Sequence, residues 1–169
     1  LPSANGGSFA TASFKAVIGS SNLTPSTANP QVYPDVTSAD HGCHNIGNHY
    51  STTTGKFIIP VTGVYFFHTS VLFQSMGSGD SMEVGFYKTD TDGSSNAVQF
   101  CQGERKDYSA NSTSYGDGYM HGEVSSTGYF TAGQAVYANS KRSGSTPVIH
   151  AGTNGSGKKF SGFLGYRIG

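Results

Sequence analysis

The densest group of potential metal ligands in the sequence lies between residues 41 and 49, and comprises His41, Cys43, His44 and His49. Imidazole and thiolate groups are ligands that zinc and copper favour. The spacing matches no established zinc framework, and Cys43 has a competing role in a disulfide. The metal is therefore undetermined from the sequence, with His41, His44 and His49 as candidate ligands, and an ordinary polar loop is the favoured interpretation.

A second group, Asp90, Asp92 and Gly93, begins like a calcium loop. An EF-hand loop closes with a glutamate at its twelfth position, and no glutamate stands at that distance here. The flanking residues have the pattern of strands, and Asp-Gly is a strong turn former. The segment therefore predicts a hairpin turn. We expect that the protein requires no cofactor, and calcium remains a possible ligand of its loops.

The candidate ligand-binding residues lie between positions 104 and 121, where tyrosines alternate with Asp, Asn, Ser and Gly. Sugars offer C–H faces that stack on aromatic rings and hydroxyls that need mixed donors and acceptors. Loops on a rigid scaffold tend to carry binding residues, although tyrosines of a long loop also pack down on the sheet. The predicted carbohydrate site contains Arg105, Lys106, Tyr108, Tyr115, Asp117, Tyr119 and His121. The two basic residues, together with Lys141 and Arg142, would attract acidic groups.

Sequence motifs of catalysis are missing. The chain has no Gly-x-Ser-x-Gly elbow, no His-Glu-x-x-His motif and no Gly-rich phosphate loop joined to a helix. Glutamate occurs only at positions 83, 104 and 123. So few glutamates argue against a glycosidase, which uses a pair of carboxylic side chains in catalysis. We therefore expect that the protein is not an enzyme.

Charge and hydropathy argue against two classes of partner. Lys+Arg and Asp+Glu number 10 each, and the basic residues are scattered, so no basic stripe is available to neutralise nucleic-acid phosphates. No apolar run approaches the ~20 residues that a membrane-spanning helix needs. We expect neither nucleic-acid binding nor membrane insertion.

Three glycosylation sequons indicate a secreted, extracellular glycoprotein. They begin at Asn22, Asn111 and Asn154, in Ser/Thr/Gly-rich stretches that predict exposed loops. Charged residues make up only 12 % of the chain, about half of the roughly 25 % usual in soluble domains. In a secreted protein Cys43 and Cys101 predict one disulfide, and the alternative is two buried free thiols.

Short strands separated by turns must position these residues. No window shows a sustained apolar period of 3.6 residues, which argues against helices. The predicted strands lie within residues 9–18, 32–36, 56–60, 64–73, 82–88, 97–102, 119–131, 135–138, 148–151 and 160–168. Loops are expected at 41–48 and 104–117. This pattern predicts an all-β sandwich or jelly roll, with a flexible lead-in at 1–8 and one domain at 9–169.

The segment 64–73 is the strongest predicted strand, and both of its faces are largely apolar. Tyr65 and Phe67 begin one face, whereas Phe66 and His68 belong to the other. A two-sheet sandwich buries only one face of each strand. The second face therefore needs a cover, which an oligomer interface would supply.

Several motifs resemble the globular head domain of complement component C1q. They are Gly-Lys-Phe, Pro and Gly-Val-Tyr-Phe-Phe within 55–67, the preceding Asn48-His49-Tyr50, the segment 128–137, and the closing Phe-Ser-Gly-Phe-Leu-Gly-Tyr at 160–166. The opening strand of the family is matched more loosely by residues 14–17. The chain departs from the family at Ile59, where a Cys is common, and at Tyr137, where Trp is common. It contains no collagen-like repeat.

The resemblance implies a ten-stranded jelly roll of the C1q/TNF-like type that assembles as a homotrimer and is not an enzyme. The residues expected in the trimer interface or the core are Tyr65, Phe66, Phe67, His68, Phe160, Phe163 and Tyr166. The function that the resemblance suggests is a secreted lectin of innate immunity. Such a pattern-recognition protein would bind glycans or microbial surface polysaccharides through three sites at once. The alternatives are a secreted matrix, mucus or adhesive protein and a receptor-binding signalling ligand.

Overall fold

The computed structural model describes residues 12–25, 30–108, 118–143, 147–152 and 159–169. Within these residues the fold is all-β, with one short 3₁₀ turn at Ala39–His41. The strands are β1 Ser13–Val17, β2 His44–Ile46, β3 Phe57–Ile58, β4 Gly63–Gln74, β5 Ser81–Lys88, β6 Val98–Asp107, β7 Met120–Phe130, β8 Ala135–Ser143, β9 Val148–Ile149 and β10 Gly162–Arg167. The predicted lead-in at 1–8 lies outside the described residues.

The strands form two antiparallel sheets that pack face to face. Sheet A has the order β2-β1-β10-β4-β7, with β9 also paired to β4, and sheet B has the order β3-β8-β5-β6. Most neighbouring strands in this order are not consecutive in sequence, as in β10 paired with β4 and β3 paired with β8. This connectivity is that of a jelly roll, so the predicted fold class is confirmed.

Alternation along β4 builds the core. Its inward residues Tyr65, Phe67, Val71 and Phe73 are fully buried, because one face of each strand points into the space between the sheets. The Phe67 ring lies 5.6 Å from the ring of Phe130, measured between centroids, in an edge-to-face arrangement that aromatic pairs favour. Other fully buried aromatic residues come from both sheets: Phe14, Phe57, Phe86 and Phe163.

Two glycines of the family-like motifs are required by close packing. Gly55 has φ of 70° in a turn, and a Cβ there would lie 2.5 Å from the Gln31 carbonyl oxygen. Gly165 lies on β10, and a Cβ there would lie 2.4 Å from the Phe67 ring. Both distances are shorter than any carbon contact allows, so a larger residue would displace the turn or the aromatic core.

The structure corrects the sequence predictions at three loops. Residues 44–46, predicted as loop, form β2 by pairing with β1, and β6 continues to Asp107 although a loop was expected from residue 104. Residues 32–36, predicted as a strand, contribute only an isolated bridge between Asp35 and Val17. The Asp90–Gly93 segment is the predicted hairpin turn: the Gly93 N–H donates to the Asp90 carbonyl oxygen at 3.0 Å.

The predicted disulfide is wrong, because Cys43 and Cys101 are both free thiols. Cys43 precedes β2 at one edge of sheet A, whereas Cys101 lies on β6 at the edge of sheet B that packs beside β7. Since β2 and β7 are opposite edges of sheet A, the two cysteines lie on opposite sides of the sandwich. A disulfide needs Cα atoms within about 7 Å.

Candidate functional site

The candidate site lies on the outer face of sheet A. Antiparallel partners point to the same side of a sheet, so the register groups the outward side chains of this face into rows. Along β4 these rows begin at Val64, Phe66, His68, Ser70 and Leu72. The first two rows are largely apolar, the middle rows are more polar, and the last row opens into a pocket.

We call the first two rows the apolar end. It contains Ile46, Val64, Phe66, Tyr129, Tyr166 and Ile168, which include five of the eight exposed large hydrophobic residues among those described. The Phe66 and Tyr166 rings lie 5.2 Å apart between centroids, and Tyr129 is 69 % exposed. Contiguous exposed apolar surface of this kind marks protein–protein contact sites.

We call the cavity at the opposite end the aromatic pocket. It has a volume of about 460 Å³ and is lined by Leu72, Tyr119, His121, His150 and Phe160. Leu72 of β4 pairs with His121 of β7, and the His150 N–H donates to the Leu72 carbonyl oxygen at 2.7 Å. Strand pairing therefore brings both histidines to one place.

Ring contacts shape the walls of the aromatic pocket. The Tyr119 ring meets the His150 ring edge-on at 5.4 Å between centroids, and the Phe160 ring lies 6.1 Å from the His150 ring on the other side. The Nδ1 atom of His150 is buried and has no hydrogen-bond partner among the described residues. Partial burial lowers the pKa of His121, an effect that the nearby Glu123 carboxylate opposes.

This arrangement is suited to binding a small ligand. Ligand pockets typically measure about 300–1,000 Å³ and combine apolar walls with a few polar groups. Here the aromatic rings offer stacking surfaces, and the imidazoles and the Tyr119 hydroxyl supply donors and acceptors. Such a set matches the C–H faces and hydroxyls of a sugar ring.

The structure divides the predicted ligand-binding residues among several locations. Tyr119 and His121 line the aromatic pocket, and Lys106 lies behind it, where its Nζ donates to the His121 carbonyl oxygen at 3.2 Å. Tyr108 packs against the core, whereas Arg105 is on sheet B beside a smaller depression that Lys141 and Arg142 also line. Tyr115 and Asp117 lie outside the described residues.

Sequence reasoning missed His150 and Leu72 as site residues. His150 follows the two-residue strand β9, and only the pairing of β9 with the end of β4 brings it to His121. No local motif marks it. The alternation of 64–73 groups Leu72 with Phe66 and His68 on one face of the strand, but it gives no sign of a cavity there.

The predicted metal ligands are not brought together. His44 Nδ1 lies 3.2 Å from the Gly42 carbonyl oxygen, and His49 packs edge-on against the Phe57 ring. His41 lies instead on the face of sheet A. Across the described ranges, no group of three or more His, Cys, Asp or Glu side chains is placed to hold a metal ion.

The remaining predicted residues are located as follows. Tyr65, Phe67 and Phe163 are core residues, whereas Phe66, His68, Phe160 and Tyr166 belong to the outer face of sheet A. Asn22 is exposed, and its Oδ1 accepts a hydrogen bond from the Ala151 N–H at 2.7 Å. Asn111 and Asn154 fall outside the described residues. None of the helical residues described forms a helix long and apolar enough to cross a membrane.

Comparisons with known proteins agree with this architecture. The family model of the C1q domain matches residues 23–164. The fold is similar to the globular domain of zebrafish complement 1qA protein, with a TM-score of 0.60 and 15 % sequence identity over 94 % of this chain and 98 % of that chain. It is also similar to Eiger TNF from S. frugiperda, with a TM-score of 0.64 and 12 % identity over 94 % of this chain and 93 % of that chain. The chain therefore belongs to the C1q domain family.

Proposed function

We propose that this protein is a secreted, non-enzymatic recognition protein that binds carbohydrate on microbial surfaces as a homotrimer. The observation that carries the proposal is the aromatic pocket, where Tyr119, His150 and Phe160 surround a sugar-sized space. Its mixture of rings and imidazoles supports glycan binding more than binding of a purely apolar ligand.

The apolar end supports the trimeric part of the proposal. It lies on the same face as the aromatic pocket but at the other end of β4, in the rows of Val64 and Phe66. Contact through the apolar end would bury its exposed rings and leave the pocket in the last row available. Three weak sites on one assembly would then bind a dense glycan surface strongly.

A glycan array tests the recognition function. We expect saturable binding by the wild type, and Tyr119→Ala should weaken it about tenfold, because a lost stacking contact costs about 1.5 kcal/mol. Tyr119→Phe keeps the ring and should retain most of the binding.

Tyr87→Ala is the matched control, since it removes a stacked ring from sheet B, away from the pocket. An array with no glycan bound by the wild type would instead favour the structural or signalling alternatives. Equal loss of binding in the Tyr87→Ala and Tyr119→Ala variants would show that the pocket is not the site.

A further inference from the structure

A cavity of about 360 Å³ opens in the middle rows of the outer face of sheet A. We call it the cationic cavity. The titratable residues of its lining are Lys15 on β1, His41 in the 3₁₀ turn, His68 on β4 and Lys159 before β10. These residues are distant in sequence, and the pairing of β10 with both β1 and β4 brings them to one place.

The cavity exists because one row of the face lacks bulk. Gly162 lies at the centre of this row, between Val17 of β1 and Ser70 of β4, and has no side chain. The neighbouring row has Leu164 at its centre and is taller. The difference in height between the two rows leaves a recess that a side chain from another molecule can enter.

The two lysines of the cationic cavity have no carboxylate partner in the described part of the chain. The Lys159 Nζ donates to the carbonyl oxygens of Gly19 and Ala151, both at 2.8 Å. These acceptors fix the position of the ammonium group without neutralising its charge. Neither Lys159 nor Lys15 forms an ion pair with a described residue. The described residues therefore leave the charge of both lysines uncompensated.

A carboxylate without an ion pair lies at the other side of the same face. Among the outward positions of the paired strands described in sheet A, only Glu123 on β7 has a carboxylate. Its side chain is exposed and forms no ion pair with a described residue. Strand β7 is one edge of sheet A, whereas Lys15 lies on β1, beside the opposite edge strand β2. The face is therefore positive on one side and negative on the other.

The symmetry of a trimer joins two such different patches. A three-membered ring repeats a head-to-tail contact, since only a two-fold axis brings a patch against itself. The rows of His68 and Ser70 directly follow the apolar end along β4, so a contact that covers the apolar end also reaches the cationic cavity. If the β7 edge of one copy crosses the β1 side of the next, it brings Glu123 to that cavity.

We propose that the Glu123 carboxylate of each copy enters the cationic cavity of the next copy in the homotrimer and pairs with Lys15. Opposite charges that meet across an interface fix its register and exclude wrong arrangements. Lys15 is the preferred partner because the Nζ atom of Lys159 already has two carbonyl acceptors. The inference rests on the proposed homotrimer and names the pair of residues that sets the order of its copies.

Charge reversal tests this pair. Light scattering over a dilution series gives the concentration at which half of the chains have left the trimer. Glu123→Lys and Lys15→Glu each place like charges against one another, so each variant should raise this concentration about tenfold or more. The double variant Glu123→Lys/Lys15→Glu again has opposite charges at the contact and should recover most of the lost association.

The double variant Glu123→Lys/Lys88→Glu is the matched control. It has the same net charge as the first double variant, but its reversed lysine lies on sheet B. It should dissociate as readily as Glu123→Lys alone. The inference is overturned if Glu123→Lys trimers are as stable as those of the wild type, or if Glu123→Lys/Lys15→Glu is no more stable than the single variants.

Glycan binding separates this inference from the proposed function. Glu123→Lys trimers of wild-type stability that still bind the arrayed glycans would overturn the inference alone. A wild type that stays monomeric over the whole dilution series would overturn both the inference and the trimeric part of the proposed function.

Discussion

The Tyr50 hydroxyl satisfies both backbone polar groups of Tyr33. It accepts the Tyr33 N–H at 3.0 Å and donates to the Tyr33 carbonyl oxygen at 3.2 Å, in the buried core. The Tyr33 hydroxyl in turn contacts the Thr69 Oγ1 at 3.2 Å, and burial raises the pKa of Tyr33 to about 12. Burial also raises the pKa of Tyr50, so both phenols stay neutral near physiological pH.

Tyr50→Phe should therefore destabilise the protein by about 1–3 kcal/mol, because it leaves a buried N–H and carbonyl without a partner. Urea denaturation measures the loss of unfolding free energy. Tyr166→Phe is the control, since Tyr166 is 45 % exposed on the outer face and its hydroxyl can be solvated. Equal stability of the wild type and Tyr50→Phe would contradict the assigned role of the hydroxyl.

The pKa of His121 gives the stability of the fold a pH dependence. Burial holds the pKa of the folded-state imidazole below its ordinary value, which is about 6.5. The unfolded chain therefore binds a proton more readily, so the His121 contribution disfavours folding as the pH falls through and below about 6.5. Above that range both states are neutral and the contribution vanishes.

We expect an NMR titration to give His121 a midpoint below that of an exposed histidine. His121→Gln should make the unfolding midpoint in urea less sensitive to acid than that of the wild type. A midpoint at or above the ordinary histidine value would contradict this account of the pocket.

At the scale of the strands, the aromatic core depends on the absence of a side chain at Gly165. A Cβ there would overlap the rings of Phe67 and Phe14, at 2.4 and 2.8 Å. Gly165→Ala should cost about 1–3 kcal/mol, the usual cost of overpacking a core. Gly169→Ala is the control, because a Cβ there has no neighbour within 4 Å. Equal melting temperatures of the two variants in thermal unfolding would contradict this account.

Long alternating segments were predictable from the sequence because their burial is encoded locally. The predicted strand 64–73 corresponds to β4 at Gly63–Gln74, with Tyr65 and Phe67 buried as alternation requires. The short polar strand β2 was not predictable from the sequence, since it is a strand only through pairing with β1. Likewise, β6 extends to Asp107 because that residue pairs with Ser81 of β5, a contact that no local pattern contains.

The candidate site was predictable only in part, for the same reason. Tyr119 and His121 are neighbours of a Tyr-rich loop and could be found by composition. His150 reaches the pocket only because β9 pairs with the end of β4. Tertiary pairing places this residue, so the sequence alone could not join it to the site.

At the scale of the whole molecule, the apolar end predicts the oligomeric state. Phe66→Arg should convert the proposed trimer to a monomer, because it places an unpaired charge among Val64, Tyr129 and Tyr166. The molar mass measured by light scattering should then fall from three times the 17.7 kDa chain mass to that of a single chain. Val98→Arg, at an exposed position of sheet B, should leave the trimer unchanged. A wild type of single-chain mass would contradict the proposal.

The most direct test of multivalent recognition compares wild-type and Phe66→Arg binding to surfaces that carry one array-selected glycan at low and at high density. If three aromatic pockets act together, the wild type should bind the dense surface about a hundredfold or more tightly than the sparse one. The Phe66→Arg monomer should bind both surfaces with the same weak affinity. Equal affinity of the wild type for both surfaces would contradict the account.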